Sequence, residues 1–166
     1  AMKLLLYFLL LVSSIALADG PPCAVGMTVR AGALNYDAKI LAFDAARKHL
    51  FLAALGNDTV EVLDTATLTH AKSLTGFHEP QGIAAVPDLE AMAIANGTTG
   101  TLQLVDAQTY ATRWTIAIGG DADNVRYDAA AKRLYVAAEG GLYAVDPSAG
   151  TKTGRIAIDG HPESFQ

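Results

Sequence analysis

Leu41-Ala-Phe-Asp-Ala-Ala-Arg-Lys-His-Leu-Phe-Leu52, Ile83-Ala-Ala-Val-Pro-Asp-Leu-Glu-Ala-Met-Ala-Ile94 and Val125-Arg-Tyr-Asp-Ala-Ala-Ala-Lys-Arg-Leu-Tyr-Val136 superimpose without a gap. They begin at residues 41, 83 and 125, a spacing of 42. Asp64, Asp106 and Asp146 each close an apolar run and keep the same step, 42 and then 40 residues apart. The shorter step falls where Glu139-Gly140-Gly141 replaces a longer loop. Self-similarity at a fixed period means one supersecondary unit repeated, and it has to be read before any motif.

Each unit reads as four short strands, a to d. In the third copy, a lies near Val125–Tyr127, b is Arg133–Ala138, c is Leu142–Asp146 and d is Thr153–Ile158. Alternation in Arg155-Ile156-Ala157-Ile158 and β-rich runs bounded by Gly, Asp and Asn support this reading. The b–c links hold Gly56-Asn57-Asp58, Asn96-Gly97-Thr98 and Gly140-Gly141, residues that tolerate positive φ and close hairpins. The c–d links begin Asp64-Thr65-Ala66-Thr67 and Asp106-Ala107-Gln108-Thr109, where an Asp can accept from N–H groups further round the turn. The Ala-rich Asp128–Lys132 is the best helical candidate after residue 18, yet it aligns with a tight turn in the sister units. Four strands per ~40–45 residues is the period of a β-propeller blade. A β-sandwich also spaces its strands by turn signals but does not require self-similarity. The expected fold class is therefore all-β, about three four-stranded antiparallel blades forming an open arc or a truncated propeller.

Of 166 residues 51% are hydrophobic, and 12 Lys+Arg stand against 17 Asp+Glu for a formal net charge of −5. That apolar content suits a packed core and argues against long disorder. A nucleic-acid partner is not expected, because no basic stripe is present to neutralise phosphates. The single cysteine, Cys23, excludes an intrachain disulfide framework. It is read as an unpaired thiol, or as one with a partner elsewhere in a longer chain. Met2-Lys3 followed by the apolar run Leu4–Val12 and the Ala16-Leu17-Ala18 site reads as a secretory signal cleaved after Ala18. The run is short of the ~20 apolar residues a membrane span needs. The predicted organisation is a signal peptide over 1–18, an N-terminal segment over 19–36 and a partial propeller over 37–166, with repeats near 41–82, 83–124 and 125–164. The predicted location is periplasmic or secreted, with no membrane span after cleavage.

Leu134-Tyr135-Val136-Ala137-Ala138 and Met92-Ala93-Ile94-Ala95-Asn96 resemble the Tyr-Val-Thr-Asn pattern of the YVTN-repeat β-propellers. The closing aspartates with their Thr-containing turns fit the same family. The resemblance covers about residues 36–166. It implies blade geometry and, since members are typically exported bacterial seven-bladed propellers, export; it implies no particular activity. With three complete units, the chain is expected to be the N-terminal part of a longer propeller, the alternative being a fragment that dimerises into a ring. Open terminal blades expose sheet edges, so edge-mediated self-association is expected of the fragment.

No G-x-S-x-G, H-E-x-x-H, Walker loop or dinucleotide fingerprint is present. His49 and His70 show no metal-ligand spacing, and Asn57-Asp58-Thr59 and Asn96-Gly97-Thr98 match the glycosylation pattern but sit in expected hairpin turns. Trp114, Tyr127 and Tyr135 occupy columns that suit packing between blades. One constellation remains. In the d–a linkers Glu79, Asp121 and His161 share one column, and Gln81, Asp123 and Glu163 another, with Asn124 beside them. Radial repetition turns a column into a ring of side chains at one mouth of the channel, and convergent polar groups there form the default ligand site. The leading expectation is an exported non-catalytic binding or scaffold protein that holds a small molecule or a protein at this face. Clustered carboxylates would favour a cation or a donor-rich ligand. No cofactor is expected. The alternative is a metal-dependent lactonase-like hydrolase: Glu79-Pro80, Asn124 and Pro162-Glu163 resemble the ligand set of gluconolactonase-type propellers. That resemblance implies a divalent cation such as Ca²⁺ held by Glu79, Asn124 and Glu163.

Overall fold

A computed structural model describes residues 38–160 together with Pro162 and Phe165. The signal-peptide reading, Cys23 and the candidate site residues His161 and Glu163 lie outside the described residues.

Twelve strands follow in chain order: β1 (Ala38–Asp44), β2 (His49–Ala54), β3 (Thr59–Asp64), β4 (Thr69–Leu74), β5 (Pro80–Val86), β6 (Ala91–Asn96), β7 (Thr101–Asp106), β8 (Thr112–Ala117), β9 (Val125–Asp128), β10 (Arg133–Ala138), β11 (Gly141–Asp146) and β12 (Thr151–Ala157). They form three separate four-stranded antiparallel meanders, β1–β4, β5–β8 and β9–β12, which are the three propeller blades the period predicts. Helical structure among the described residues is confined to two 3₁₀ turns, Leu55–Asn57 and Pro87–Leu89. None of it is long and apolar enough to cross a membrane.

The turns carry the repeat as firmly as the strands do. Asp44, Asp64, Asp106, Asp128 and Asp146 each use Oδ1 to accept the backbone N–H groups two and three residues on, at 2.7–3.2 Å. The Ala-rich Asp128–Lys132 stretch is thus a turn, as alignment with its sisters required. The same columns take left-handed backbone: Lys48, Glu90 and Lys132 close the a–b turns at φ 56°, 47° and 51°. Each outer strand also carries one extra residue. Ala71, Arg113 and Thr153 fall between partners in the β4, β8 and β12 ladders. Such bulges increase twist and blunt an otherwise open edge.

Alternation sends one side of each blade forward and the other back. Phe51, Val60, Val62 and Leu74 of the first blade pack on Ile83, Met92, Ile94 and Val105 of the second. Leu102, Leu104 and Ile116 of the second pack on Val125, Leu134, Val136 and Val145 of the third. Each fully buried side chain of this size contributes roughly 1.5–3 kcal/mol. The innermost strands β1, β5 and β9 touch in succession. Trp114 and Tyr127 join the second seam as expected. Tyr135 pairs with Arg126 and Ala144 on the other side of the third blade, turned away from the second, because its position on β10 is one residue out of phase with Leu134 and Val136. On that side Ile156 is 61% exposed, whereas Leu74, its counterpart in the first blade, is 7% exposed.

At the second seam Gly82 leaves no room for a side chain. A Cβ there would lie 2.2 Å from the Asp123 carbonyl oxygen and 2.9 Å from the Val125 nitrogen, both backbone atoms. Gly82→Ala should therefore cost about 1–3 kcal/mol by overpacking. Gly154→Ala, whose new Cβ meets only the Ala144 Cβ at 3.9 Å, should stay within about 0.5 kcal/mol. Urea denaturation midpoints read the difference.

The turn carboxylates also set a response to acid. Backbone N–H groups of Thr67 and Ala66 lower the pKa of Asp64. The Arg113 guanidinium, then the turn amides of Thr109 and Gln108, hold Asp106 far below the usual range. The Ser148 hydroxyl and the amides of Ala149 and Ser148 lower Asp146. A carboxylate depressed in the fold contributes stability that is present above its unfolded pKa of about 3.9 and lost as pH falls toward the folded value. Melting temperature should fall steadily below that pH, and Asp106→Asn should flatten the dependence while lowering stability at neutral pH.

Candidate functional site

In an antiparallel meander the d–a linkers and b–c turns lie at one end of the blades, and the a–b and c–d turns at the other. The described candidate residues all belong to the first end. Glu79 and Asp121, matched by column, share a left-handed backbone at φ 51° and 49°. Glu79 is pinned between two blades. Its N–H donates to Asp58 Oδ1 at 2.7 Å in the first blade, its carbonyl accepts from Gly97 N at 2.9 Å in the second, and its carboxylate accepts from the Thr98 hydroxyl. Asn96, fully buried, accepts from His78 N at 3.1 Å.

Gln81 sits at a bulge, between the Pro80↔Asn96 and Gly82↔Ala95 pairs of β5 and β6. A bulge re-aims a side chain, and the Gln81 amide nitrogen donates to Asp121 Oδ1 at 2.8 Å across the seam. Both groups lie against Gly97, where a Cβ would meet Gln81 Nε2 at 2.1 Å and Asp121 Oδ1 at 3.1 Å. Asp123 and Asn124 are buried in the next linker; Asp123 N donates to Ala137 O at 2.9 Å and Ala137 N to Asn124 O at 2.8 Å. The Asn124 side-chain oxygen accepts from Arg126 Nη1 at 2.6 Å. The structure thus joins Gln81 with Asp121, holds Asp123 and Asn124 in the same linker as Asp121, and ties Glu79 to the neighbouring b–c turns. Polar Gln81, Asp123 and Asn124 are buried beside the innermost strand while Glu79 and Asp121 stay exposed at the rim.

Of the implied cation set, Glu79 and Asn124 are described and Glu163 is not. The Glu79 carboxylate accepts from the Thr98 hydroxyl, and the Asn124 oxygen accepts from the Arg126 guanidinium. Among the described residues no group of three or more His, Cys, Asp or Glu side chains could hold a metal ion.

Sequence reading missed a second polar cluster, on the outer half of the first blade. Glu61, buried, accepts from Thr59 Oγ1 at 2.6 Å and Ser73 Oγ at 2.5 Å, with His70 Nε2 at 2.6 Å. Burial pushes the Glu61 carboxyl up, but the bonds from Ser73, Thr59 and His70 outweigh it and hold it below its usual range. Ser73 and His70 are 3.3 Å apart, and the Ser73 hydroxyl donates to Glu61 at the shorter distance. Between Val60 and Val62, Glu61 reads as an ordinary solvent-side position of an alternating strand, so its burial left no mark in the sequence.

Three sequential four-stranded meanders, packed inner strand to inner strand with polar linkers gathered at one end, define a β-propeller protein. The chain belongs to the YNCE-like beta-propeller family, whose model matches residues 15–162. No curated protein matches it in sequence. Similar solved structures include hydrazine synthase of Kuenenia stuttgartiensis, with 20% identity and a TM-score of 0.68 over 74% of this chain and 36% of that one. Sqt1 of Saccharomyces cerevisiae follows at 13% identity and 0.64, over 71% and 34%. The dihydro-heme d1 dehydrogenase NirN, in complex with DHE, gives 12% identity and 0.65, over 76% and 29%. At these identities the likeness is one of fold, and the chain spans about a third of each structure.

Gln81→Ala removes a cross-seam donor to an Asp121 carboxylate that water still reaches, so it should destabilise by about 0.5–1.5 kcal/mol. Gln81→Glu should cost at least as much near neutral pH, because it sets a carboxylate against Asp121, and should recover in mild acid. Thermal melts of both variants at two pH values check the pair.

Proposed function

We propose that the chain is part of an exported, non-catalytic binding or scaffold protein that holds a small molecule or a protein partner at the d–a end of its blades. The observation that carries this reading is the polar set Gln81, Asp123 and Asn124, buried beside the innermost strands where a purely structural seam is served by apolar residues. Asp121, cross-linked to Gln81, and Glu79 add carboxylates at the rim. Carboxylates in excess at this end suit a cationic or donor-rich ligand. The basic start, apolar run and Ala16-Leu17-Ala18 site support export.

Calorimetric titration with spermidine as a cationic probe tests the site. Binding should weaken about tenfold in Asp123→Asn, and again in Asp121→Asn, since a charge-assisted hydrogen bond is worth more than a decade in affinity. Glu90→Gln, at the opposite end, should leave it unchanged. Equal affinity in all three variants would remove the d–a end from consideration.

A further inference from the structure

The end of the blades opposite the d–a linkers holds a cavity of about 390 Å³ in the groove between the second and third blades. Its walls include Asp88 from the a–b turn of the second blade, Tyr127, Lys132 and Arg133 from the a–b hairpin of the third, and Asp146 and Pro147 from the c–d turn of the third. The volume falls within the range of small-molecule sites, about 300–1,000 Å³.

The groove departs from the repeat that builds it. The matching columns between the first and second blades hold Ala46, Ala85, Ala91 and Ala107 in place of Asp88, Tyr127, Arg133 and Pro147. There Arg47 crosses the seam to Glu90 at 3.0 Å while keeping Asp44 at 3.0 Å. Between the second and third blades the ion pairs are longer, at 3.5 and 4.0 Å against 3.0 Å. Lys132 Nζ stands 3.5 Å from Asp88 Oδ2, which already accepts the Tyr127 hydroxyl at 3.1 Å. Arg133 Nη1 stands 4.0 Å from Asp146 Oδ2, outside hydrogen-bond range, with its side chain 37% exposed. Asp146 meanwhile serves its own turn through Oδ1, leaving Oδ2 clear of those bonds.

Two cations and two carboxylates beside a phenol ring and a proline make a cavity that is neutral in sum and dipolar in detail. A simple anion or cation would leave one of those charges uncompensated. We propose that this groove binds a zwitterionic α-amino acid with an apolar side chain. The α-carboxylate takes the guanidinium fork of Arg133 and the Lys132 ammonium, the α-ammonium takes Asp146 Oδ2, and the side chain lies along Tyr127 and Pro147. The site is at the other end of the blades from the d–a linkers and stands or falls independently of the function proposed there.

Trp114, the chain's one tryptophan, donates from its indole N–H to the Pro147 carbonyl at 3.0 Å and so reports on the cavity wall. Titration with L-phenylalanine, exciting the indole beyond the phenylalanine absorption band, should give a saturable fluorescence change with millimolar affinity. 3-Phenylpropanoate and phenethylamine, each carrying one of the two charges, should bind at least about tenfold more weakly. Arg133→Gln should lower the affinity for L-phenylalanine by about tenfold or more, and Lys132→Gln by less, with far-UV circular dichroism unchanged in both. Thr69→Ala, on the exposed edge of the first blade, should bind as the unaltered chain does. The absence of a saturable change, equal affinity in a folded Arg133→Gln variant, or equal affinity for a singly charged probe would each overturn the proposal.

Discussion

Everything else in the structure depends on how closely β5 and β9 approach. Gly82 faces the Asp123 carbonyl and the Val125 nitrogen across a gap that admits no Cβ. That proximity brings Leu102 and Leu104 into register with Leu134 and Val136, so the seam closes on buried apolar surface. It also presses the two linkers together, so that Gln81 of one blade reaches Asp121 of the next. Hydrophobic burial supplies the drive and is not directional; the steric limit at Gly82 decides the spacing at which it acts.

The two ends of the blades use their charges differently. At the a–b and c–d end, Asp44, Asp64, Asp106, Asp128 and Asp146 each close their own turn with backbone N–H groups, and Arg113 adds a guanidinium to Asp106 at 2.7 Å; Asp88 and Glu90 are the exceptions, reaching Tyr127 and Arg47 of the neighbouring blades. At the d–a end carboxylates serve links between units: Asp58 to the Glu79 amide, Glu79 to Thr98, Asp121 to Gln81. The first arrangement repeats because it follows from one residue and its turn. The second varies from blade to blade, since each link needs partners from two units. Variation of that kind, on a scaffold that otherwise repeats, is where function is expected to reside.

The fold was legible because its causes are local. A spacing of 42 residues, an Asp at each turn and alternation along b and c need no long-range information, and strand Arg133–Ala138 lies where the pattern put it. The polar column before strand a was also legible as a set. Its internal wiring was not. That Gln81 stands at a bulge depends on the pairing of β5 with β6, and that Asn124 is taken by Arg126 depends on a side chain two residues on turning back toward it. The cluster around Glu61 is spread over Thr59, His70 and Ser73 on two strands, with nothing in its spacing to mark it. Tyr135 lies on the side of the third blade that faces away from the second, the side on which its column mates Phe51 and Ala93 meet the following blade.

Period, alternation and turn chemistry, all written in the order of the residues, determined three four-stranded antiparallel units, their strands and the end at which polar linkers gather. Tertiary structure decided which of those polar groups meet, because a hydrogen bond across a seam depends on the distance between two blades. It also decided where a cavity opens, since its walls come from two blades set side by side.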